Sequence, residues 1–268
     1  GRGAARPVGR CAMVATRLPR SQRPQTRSRS AGPGWATCGT PATLAACHPD
    51  VRVSVTDFRP PVPESIVIPG PVGPLEALLE VPEGASGAAV AVVCHPHPQH
   101  GGTMQNKVVH MLARTFQEQR VPTIRFNYRG VGKSAGTYDE GRGETDDAVA
   151  ALDFAAARWP GAALWLGGFS FGGAVAFRAA TRRPVARLVM AAPAVQRVDA
   201  VDLEKVPACP WIVVQGDQDE VIAPERVTEW VAALPRKPHF VMLPGVGHFF
   251  HGRLDDLRST VRTWLETT

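Results

Sequence analysis

No run of apolar residues in this sequence approaches the length of about 20 that a membrane-spanning helix needs. Cysteine is also scarce, since only Cys94 and Cys209 of the five cysteines lie after residue 50. Two cysteines so far apart, each beside a predicted strand, are typical of small buried hydrophobic residues in a reducing compartment and not of a disulfide framework. The sequence therefore predicts a soluble, cytoplasmic protein without a membrane partner.

Acidic residues are absent from the first 49 positions, which contain eight arginines and no lysine. Of the 30 basic residues in the chain, 22 therefore remain against 24 acidic residues, a net charge of −2 for residues 50–268. The formal charge of +6 thus belongs to the N-terminal segment. This distribution argues against a nucleic-acid partner, because a nucleic-acid-binding domain carries clustered basic residues on its own surface.

Residues 1–60 are rich in Arg, Ser and Pro and show no sustained apolar periodicity. Such a segment buries too little apolar surface to offset the entropy of ordering, so we expect a disordered, non-structural tail. An Arg-rich and Ser-rich segment without acids is also typical of an organellar transit peptide, which would imply import. Because the first methionine is Met13, a third interpretation is upstream sequence that is not normally translated.

From residue 61 onward, short apolar segments alternate with amphipathic helical ones after an opening hairpin. This order predicts an α/β domain over residues 61–268, with a mostly parallel eight-stranded sheet and helices on both faces. The eight predicted strands lie at 65–70, 75–81, 88–94, 121–127, from 163 to the glycines at 167–168, and at 187–192, 211–215 and 239–243.

A serine flanked by glycines follows the strand that begins at Ala163. The segment Gly168-Phe169-Ser170-Phe171-Gly172 matches G-x-S-x-G and leads into an Ala-rich helix. A serine on so sharp a strand-to-helix turn has a strained backbone, and neighbours with a Cβ would collide with it. The pattern predicts that Ser170 is a nucleophile and that the Phe171 N–H is one donor of an oxyanion hole.

Two further polar loops follow the predicted strands at 211–215 and 239–243. The first contains Asp217 and Asp219, and the second contains His248 between glycine and phenylalanine, with His251 as a rival base. A serine hydroxyl needs a base within hydrogen-bond reach, and the base needs an acid to orient it. The chain order Ser, Asp, His is the order found in α/β-hydrolases.

The chain from about Ser65 resembles the α/β-hydrolase superfamily, and within it the small, lidless, bacterial-type serine esterases. The resemblance rests on H-P-H-P…G-G-T-M at 95–104, F-N-Y-R-G-V-G-K-S at 126–134 and G-x-S-x-G. It implies Asp219 as the acid, His248 as the base and the His97 N–H as the second oxyanion donor. Only residues 193–210 occupy the position where relatives insert a lid, so no cap domain is expected.

Further expectations concern the surroundings of Ser170. Aromatic residues on the catalytic loops predict a substrate pocket lined by Phe169, Phe249 and Phe250, although Phe169 also suits a core position. Arg129 is expected to pair with Asp146 or Asp147. The histidines at 95, 97 and 100 invite a zinc site, but the prolines between them and the role of the loop in the oxyanion hole argue against it, so neither metal nor cofactor is predicted.

These features predict a serine hydrolase that cleaves carboxylic esters with small to medium acyl chains through an acyl-enzyme. A peptidase or amidase would use the same triad, and a non-catalytic binding module would retain the fold without the chemistry. A dienelactone-type hydrolase is disfavoured because that chemistry prefers a cysteine where Ser170 stands. The expected partner is a small-molecule ester, and the protein is expected to be a monomer or homodimer.

Overall fold

The computed structural model describes residues 58–198 and 205–268. Apart from residues 58–60, the predicted disordered tail lies outside the described residues. The strands are β1 Glu64–Gly70, β2 Gly73–Glu80, β3 Ala89–Cys94, β4 Thr123–Phe126, β5 Ala163–Phe169, β6 Arg187–Ala191, β7 Trp211–Gly216 and β8 His239–Leu243. The helices are α1 Lys107–Glu118, α2 Arg142–Arg158, α3 Phe171–Arg182, α4 Pro224–Ala233 and α5 Leu254–Thr267.

The strands form one eight-stranded sheet in the order β1-β2-β4-β3-β5-β6-β7-β8. Strand β2 pairs antiparallel with both β1 and β4, and all other neighbouring pairs are parallel. The prediction of a mostly parallel eight-stranded sheet behind an antiparallel hairpin is therefore confirmed. In such a sheet the loops after the parallel strands meet at one edge, where functional groups collect.

Each face of the sheet is covered by its own apolar layer. Alternate residues of β3 point to opposite faces, so Val90 and Val92 pack with α2, α3 and α4, while Ala91 and Val93 pack with α1 and α5. Strands covered on both faces are expected to be continuously apolar, as β3 is and as β7 is up to Gln215. This arrangement fixes the loop after β5 between two rigid layers.

The first turn of α2 is closed by one of its own side chains. Helix α2 begins at Arg142, and the Glu144 carboxylate accepts the Gly141 N–H at 2.7 Å and so caps the first turn. The described part of the connection between β6 and β7 contains one short 3-10 turn, Val195–Arg197. No helix among the described residues is long and apolar enough to cross a bilayer.

Candidate active site

Ser170 occupies a tight turn between β5 and α3. Its backbone has φ 56° and ψ −118°, a conformation that residues with a side chain rarely adopt. A Cβ on Gly168 would lie 2.1 Å from the carbonyl oxygen of Gly172, and a Cβ on Gly172 would lie 2.4 Å from that of Cys94. Both glycines are therefore required by close backbone packing, as the crowding argument predicted.

The three residues predicted as a triad lie together at the carboxyl edge of the sheet. His248 Nε2 is 3.0 Å from Ser170 Oγ, and His248 Nδ1 is 2.8 Å from Asp219 Oδ2. All three are buried, with at most 8 % of any residue exposed. In the tautomer that fits both contacts, Nδ1–H donates to the carboxylate and Nε2 accepts from the serine hydroxyl.

The Asp219 carboxylate is held by several donors in addition to His248. Its Oδ1 accepts the backbone N–H groups of Val221 and Ile222 at 2.9 and 2.7 Å, and its Oδ2 accepts Gln215 Nε2 at 2.8 Å. Burial acts to raise the pKa of Asp219, but the hydrogen bonds from His248, Ile222 and Val221 outweigh it and lower that pKa below its ordinary value. The carboxylate therefore stays ionised beside the imidazole.

Asp217, the other acid of this loop, has a different position. Its Oδ1 accepts the Gly245 N–H at 2.6 Å and so ties the loop after β7 to the loop after β8. The Gln218 N–H donates to the Val246 carbonyl at 3.0 Å and adds a second tie. His251, the rival base, is exposed in the turn before α5 and lies outside this hydrogen-bond chain.

Phe171 and His97, whose backbone N–H groups are predicted to form an oxyanion hole, are in contact through their side chains. Phe171 is the first residue of α3, where an N–H has no partner within the helix, and its ring lies 4.9 Å from that of His97. Within residues 58–198 and 205–268, neither the Phe171 nor the His97 N–H donates a hydrogen bond to the protein. The positive end of the α3 dipole also faces the turn at Ser170.

His95 has a structural position in the same loop. It is fully buried, its Nδ1 contacts the Pro96 carbonyl at 2.7 Å and its Nε2 accepts the Tyr128 N–H at 3.2 Å. Burial lowers the pKa of His95 to about 4, so the ring is neutral. Both ring nitrogens are thus engaged with protein groups, and the described part of the chain contains no group of three His, Cys, Asp or Glu side chains arranged to hold a metal ion.

The predicted aromatic pocket needs correction at two positions. Phe169 and Phe250 are fully buried in the apolar layer that contains α1 and α5. They are therefore core residues next to the site and do not line an open pocket. The inward direction of Phe169 follows from the last residue of β5 pointing to the face opposite α3. Phe249 remains 41 % exposed with its ring 4.9 Å from that of His248, at the rim of the site.

The loop after β4 shapes the site without joining it. Arg129 makes a bidentate ion pair with Asp147, at 2.8 and 3.0 Å, which resolves the predicted alternative between two adjacent aspartates. Asp146, one residue earlier on α2, pairs with Arg182 instead. The Ser134 hydroxyl donates to the Asn127 carbonyl at 2.7 Å and accepts the Glu76 N–H. The glycine-containing loop is therefore fastened to β2.

One charged group beside the site was missed by reasoning from the sequence. Arg197, in the short turn after β6, places Nη2 2.9 Å from His97 Nε2 and Nη1 3.3 Å from the Tyr138 hydroxyl. Its guanidinium also lies 5.6 Å from the centre of the Phe171 ring. No local motif predicts this contact, because Arg197 and His97 are 100 positions apart in the chain.

Comparison with known proteins places the chain among hydrolases of this architecture. The family model described as serine aminopeptidase, S33, matches residues 88–208. An uncharacterized protein of Rickettsia prowazekii (strain Madrid E) is 32 % identical over 189 residues, which cover 67 % of this chain and 79 % of that protein.

Two solved structures are similar over nearly their whole length. An α/β serine hydrolase homologue from Coxiella burnetii is 43 % identical with a TM-score of 0.72, covering 75 % of this chain and 97 % of that one. An α/β serine hydrolase without lid from Xanthomonas campestris is 42 % identical with a TM-score of 0.70, covering 75 % of this chain and 94 % of that one.

Proposed function

Because this chain belongs to the α/β serine hydrolases, we propose that it hydrolyses carboxylic esters with small to medium acyl chains through an acyl-enzyme. The observation that carries the proposal is the hydrogen-bond chain from Ser170 Oγ through His248 to Asp219, with distances of 3.0 and 2.8 Å. A fold alone would not support it, since α/β folds serve many functions.

In the proposed reaction, Ser170 Oγ attacks the ester carbonyl carbon while His248 Nε2 takes the hydroxyl proton. The carbonyl oxygen becomes an oxyanion, which the N–H groups of Phe171 and His97 stabilise. When the tetrahedral intermediate collapses, the C–O bond to the alcohol breaks and His248 returns the proton to the leaving oxygen. Water then attacks the acyl-enzyme by the same route and releases the acid. Asp219 orients the imidazole and stabilises its cationic form.

The chemistry needs no cofactor, because every proton acceptor and oxyanion donor in this scheme is a residue of the chain. The connection between β6 and β7 spans only residues 192–210, too few for a helical cap domain. We therefore expect an open site that shows no interfacial activation.

An amide substrate with a free amine is the main alternative within the same chemistry. Such a peptidase would need an acidic anchor for the substrate ammonium. Among the described residues, the Glu220 carboxylate is engaged, since it accepts the His248 N–H at 3.1 Å, and the exposed Glu140 carboxylate lies 3.8 Å from the Arg197 guanidinium. A cation at Arg197 disfavours an ammonium, so esters are the better proposal.

The test is hydrolysis of p-nitrophenyl esters from C2 to C12 by the full chain and its Ser170→Ala and His248→Asn variants. We expect kcat to fall by about 10⁴-fold or more in both variants, and the chain-length optimum to report the size of the pocket. His251→Asn is the matched control and should retain activity. Labelling of the wild type by a fluorophosphonate, absent in Ser170→Ala, would exclude a non-catalytic module. Absence of both ester turnover and labelling would refute the proposal.

A further inference from the structure

Arg197 is anchored close to the nucleophile by the backbone. The Ala194 N–H donates to the Ser170 carbonyl at 3.0 Å, and the Arg197 N–H donates to the Ala194 carbonyl at 2.9 Å. The first hydrogen bond links the turn after β6 to the turn that carries the serine, and the second closes the turn that contains Arg197. The backbone of Arg197 is therefore held next to the serine turn, and its guanidinium is positioned by contacts with His97, Tyr138 and Phe171.

The guanidinium contacts the side chains of both residues assigned to the oxyanion hole. It lies over the Phe171 ring and within hydrogen-bond distance of His97 Nε2. Arg197 Nη2 therefore lies at the end of the His97 side chain, and the His97 N–H lies at the other end of the same residue. A substrate whose carbonyl oxygen sits at these N–H groups would bring the next few atoms of its chain past Arg197.

The described partners of Arg197 leave its positive charge poorly neutralised. They are the His97 ring, the Tyr138 hydroxyl and Glu140, whose carboxylate is 3.8 Å away and whose side chain is 64 % exposed. Burial and the positive charges of Arg197 and His100 lower the pKa of His97 to about 4, so its ring carries no charge. The ion pair between Arg197 and Glu140 is exposed and long, so it offsets little of the positive charge of the guanidinium.

His97 faces an N–H donor at each of its two ring nitrogens, and Arg197 is one of the two donors. His97 Nδ1 faces the Gln99 N–H at 3.2 Å, while Nε2 faces Arg197 Nη2 at 2.9 Å and the Tyr138 hydroxyl at 3.2 Å. A neutral imidazole has one acceptor nitrogen and cannot satisfy an N–H donor on each side. A carboxylate that took over the guanidinium would relieve this conflict and form a stronger, bidentate contact.

A second arginine, Arg178, lies near the Phe171 ring. The space that a Cβ on Gly141 would fill lies 2.5 Å from Arg178 Nη2 and 3.4 Å from Phe171 Cε2. Within the described residues, Arg178 Nε and Nη2 are buried and make no hydrogen bond. Two guanidinium groups thus lie near this ring, together with the buried Glu144 carboxylate, which accepts the Gly141 N–H at 2.7 Å.

We propose that Arg197 binds a carboxylate on the substrate, so that the preferred esters are half-esters of dicarboxylic acids. This inference rests on the proposed esterase activity and specifies its substrate class. Arg197 is a specificity-determining residue here, and Glu140 competes with the substrate for its guanidinium. The planar, two-pronged geometry of the guanidinium suits a carboxylate, and lysine would reproduce only its charge.

The test compares p-nitrophenyl monoesters of glutaric, adipic and pimelic acid with the same esters capped by a methyl group. Values of kcat/KM, corrected for spontaneous hydrolysis, are measured for the full wild-type chain and its variants. Arg197→Met should reduce the anionic-to-neutral ratio about ten-fold, the effect of losing one charge-assisted hydrogen bond, and Arg197→Lys should reduce it less. Glu140→Gln should increase the ratio. Arg182→Met, which removes the same charge from the exposed pair with Asp146, is the matched control.

An unchanged ratio in Arg197→Met, or an equal loss on anionic and neutral esters, would overturn the inference, because the second result would mean a structural role only. If the wild type cleaves neither kind of ester, the proposed function fails, and the inference is then decided by binding alone. Calorimetric titration with adipate should show binding to the wild type that Arg197→Met weakens about ten-fold. Equal binding to both proteins, or none to the wild type, would overturn it.

Discussion

Protonation of His95 should make the protein unstable at mildly acidic pH. This histidine is fully buried, and burial lowers its pKa to about 4 from an ordinary value of 6.5. The unfolded chain therefore binds a proton in the interval where the folded protein does not, and stability falls as the pH drops below the unfolded value. Burial is the main cause of the lowered pKa, and a proton on Nε2 would in addition break the hydrogen bond that this nitrogen accepts from the Tyr128 N–H.

The size of the effect follows from the two pKa values. Between about pH 7.5 and pH 5, the change in proton binding at His95 removes about 2 kcal/mol from the free energy of unfolding, an order-of-magnitude figure. Staying above about pH 5 keeps most carboxylates ionised, so their own contribution to the change is small.

The assay is urea unfolding of the wild type and His95→Gln at about pH 7.5 and pH 5. Glutamine is uncharged and its side-chain oxygen can still accept the Tyr128 N–H. We expect the wild type to lose about 2 kcal/mol more than the variant over this interval. His239→Gln, at an exposed histidine, is the control and should lose as much as the wild type.

An equal loss of unfolding free energy in the wild type and His95→Gln would refute the reasoning, because it would mean that His95 has its ordinary pKa in the folded protein. Titration of the His95 ring by NMR gives the same answer without unfolding and decides the question if the variant does not fold. A resonance that shifts near pH 6.5 in the folded protein would contradict the lowered pKa.

Two substitutions test the packing of the serine turn and the buried ion pair of the loop after β4. Gly172→Ala should lower the free energy of unfolding by about 3 kcal/mol, because its Cβ would lie 2.4 Å from a backbone oxygen, whereas Gly161→Ala, in open space at φ 84°, should cost about 1 kcal/mol in the same thermal denaturation. Asp147→Asn should cost about 3 kcal/mol in urea unfolding, since it leaves the buried Arg129 charge unpaired, and Asp153→Asn at an exposed ion pair should cost less than about 1 kcal/mol. Equal effects within either pair would contradict the packing or the burial argument.

The sequence predicted the positions of the triad because the information is local. Each of Ser170, Asp219 and His248 lies in the loop that follows an apolar strand, and parallel strands bring such loops to one edge of the sheet. The roles assigned to these residues stay predictions that the proposed assays test. The choice between Asp217 and Asp219 depended on resemblance, and the structure accounts for it by the hydrogen bonds that each carboxylate accepts.

Features set by long-range packing were out of reach. The pocket roles of Phe169 and Phe250 failed because an aromatic residue next to a catalytic one can point to either face of the sheet, and both point into the core. The sequence did not decide whether Arg129 pairs with Asp146 or Asp147. Adjacent residues of a helix point in directions about 100° apart, so only the packing of α2 selects Asp147. The contact of Arg197 with His97 joins distant loops and leaves no periodic signal.

The arrangement of β5, β6, β7 and β8 has a consequence for synthesis of the chain. These strands lie side by side in the order in which the ribosome makes them, from the centre of the sheet to its edge. A nascent chain can therefore add each strand to an existing neighbour, as expected for domains that fold from the N-terminal side during translation. Ser170 is made early in this sequence of events and His248 last. A growing chain thus carries a serine without its base until the final loop leaves the ribosome, which confines the proposed activity to chains that have been translated past β8.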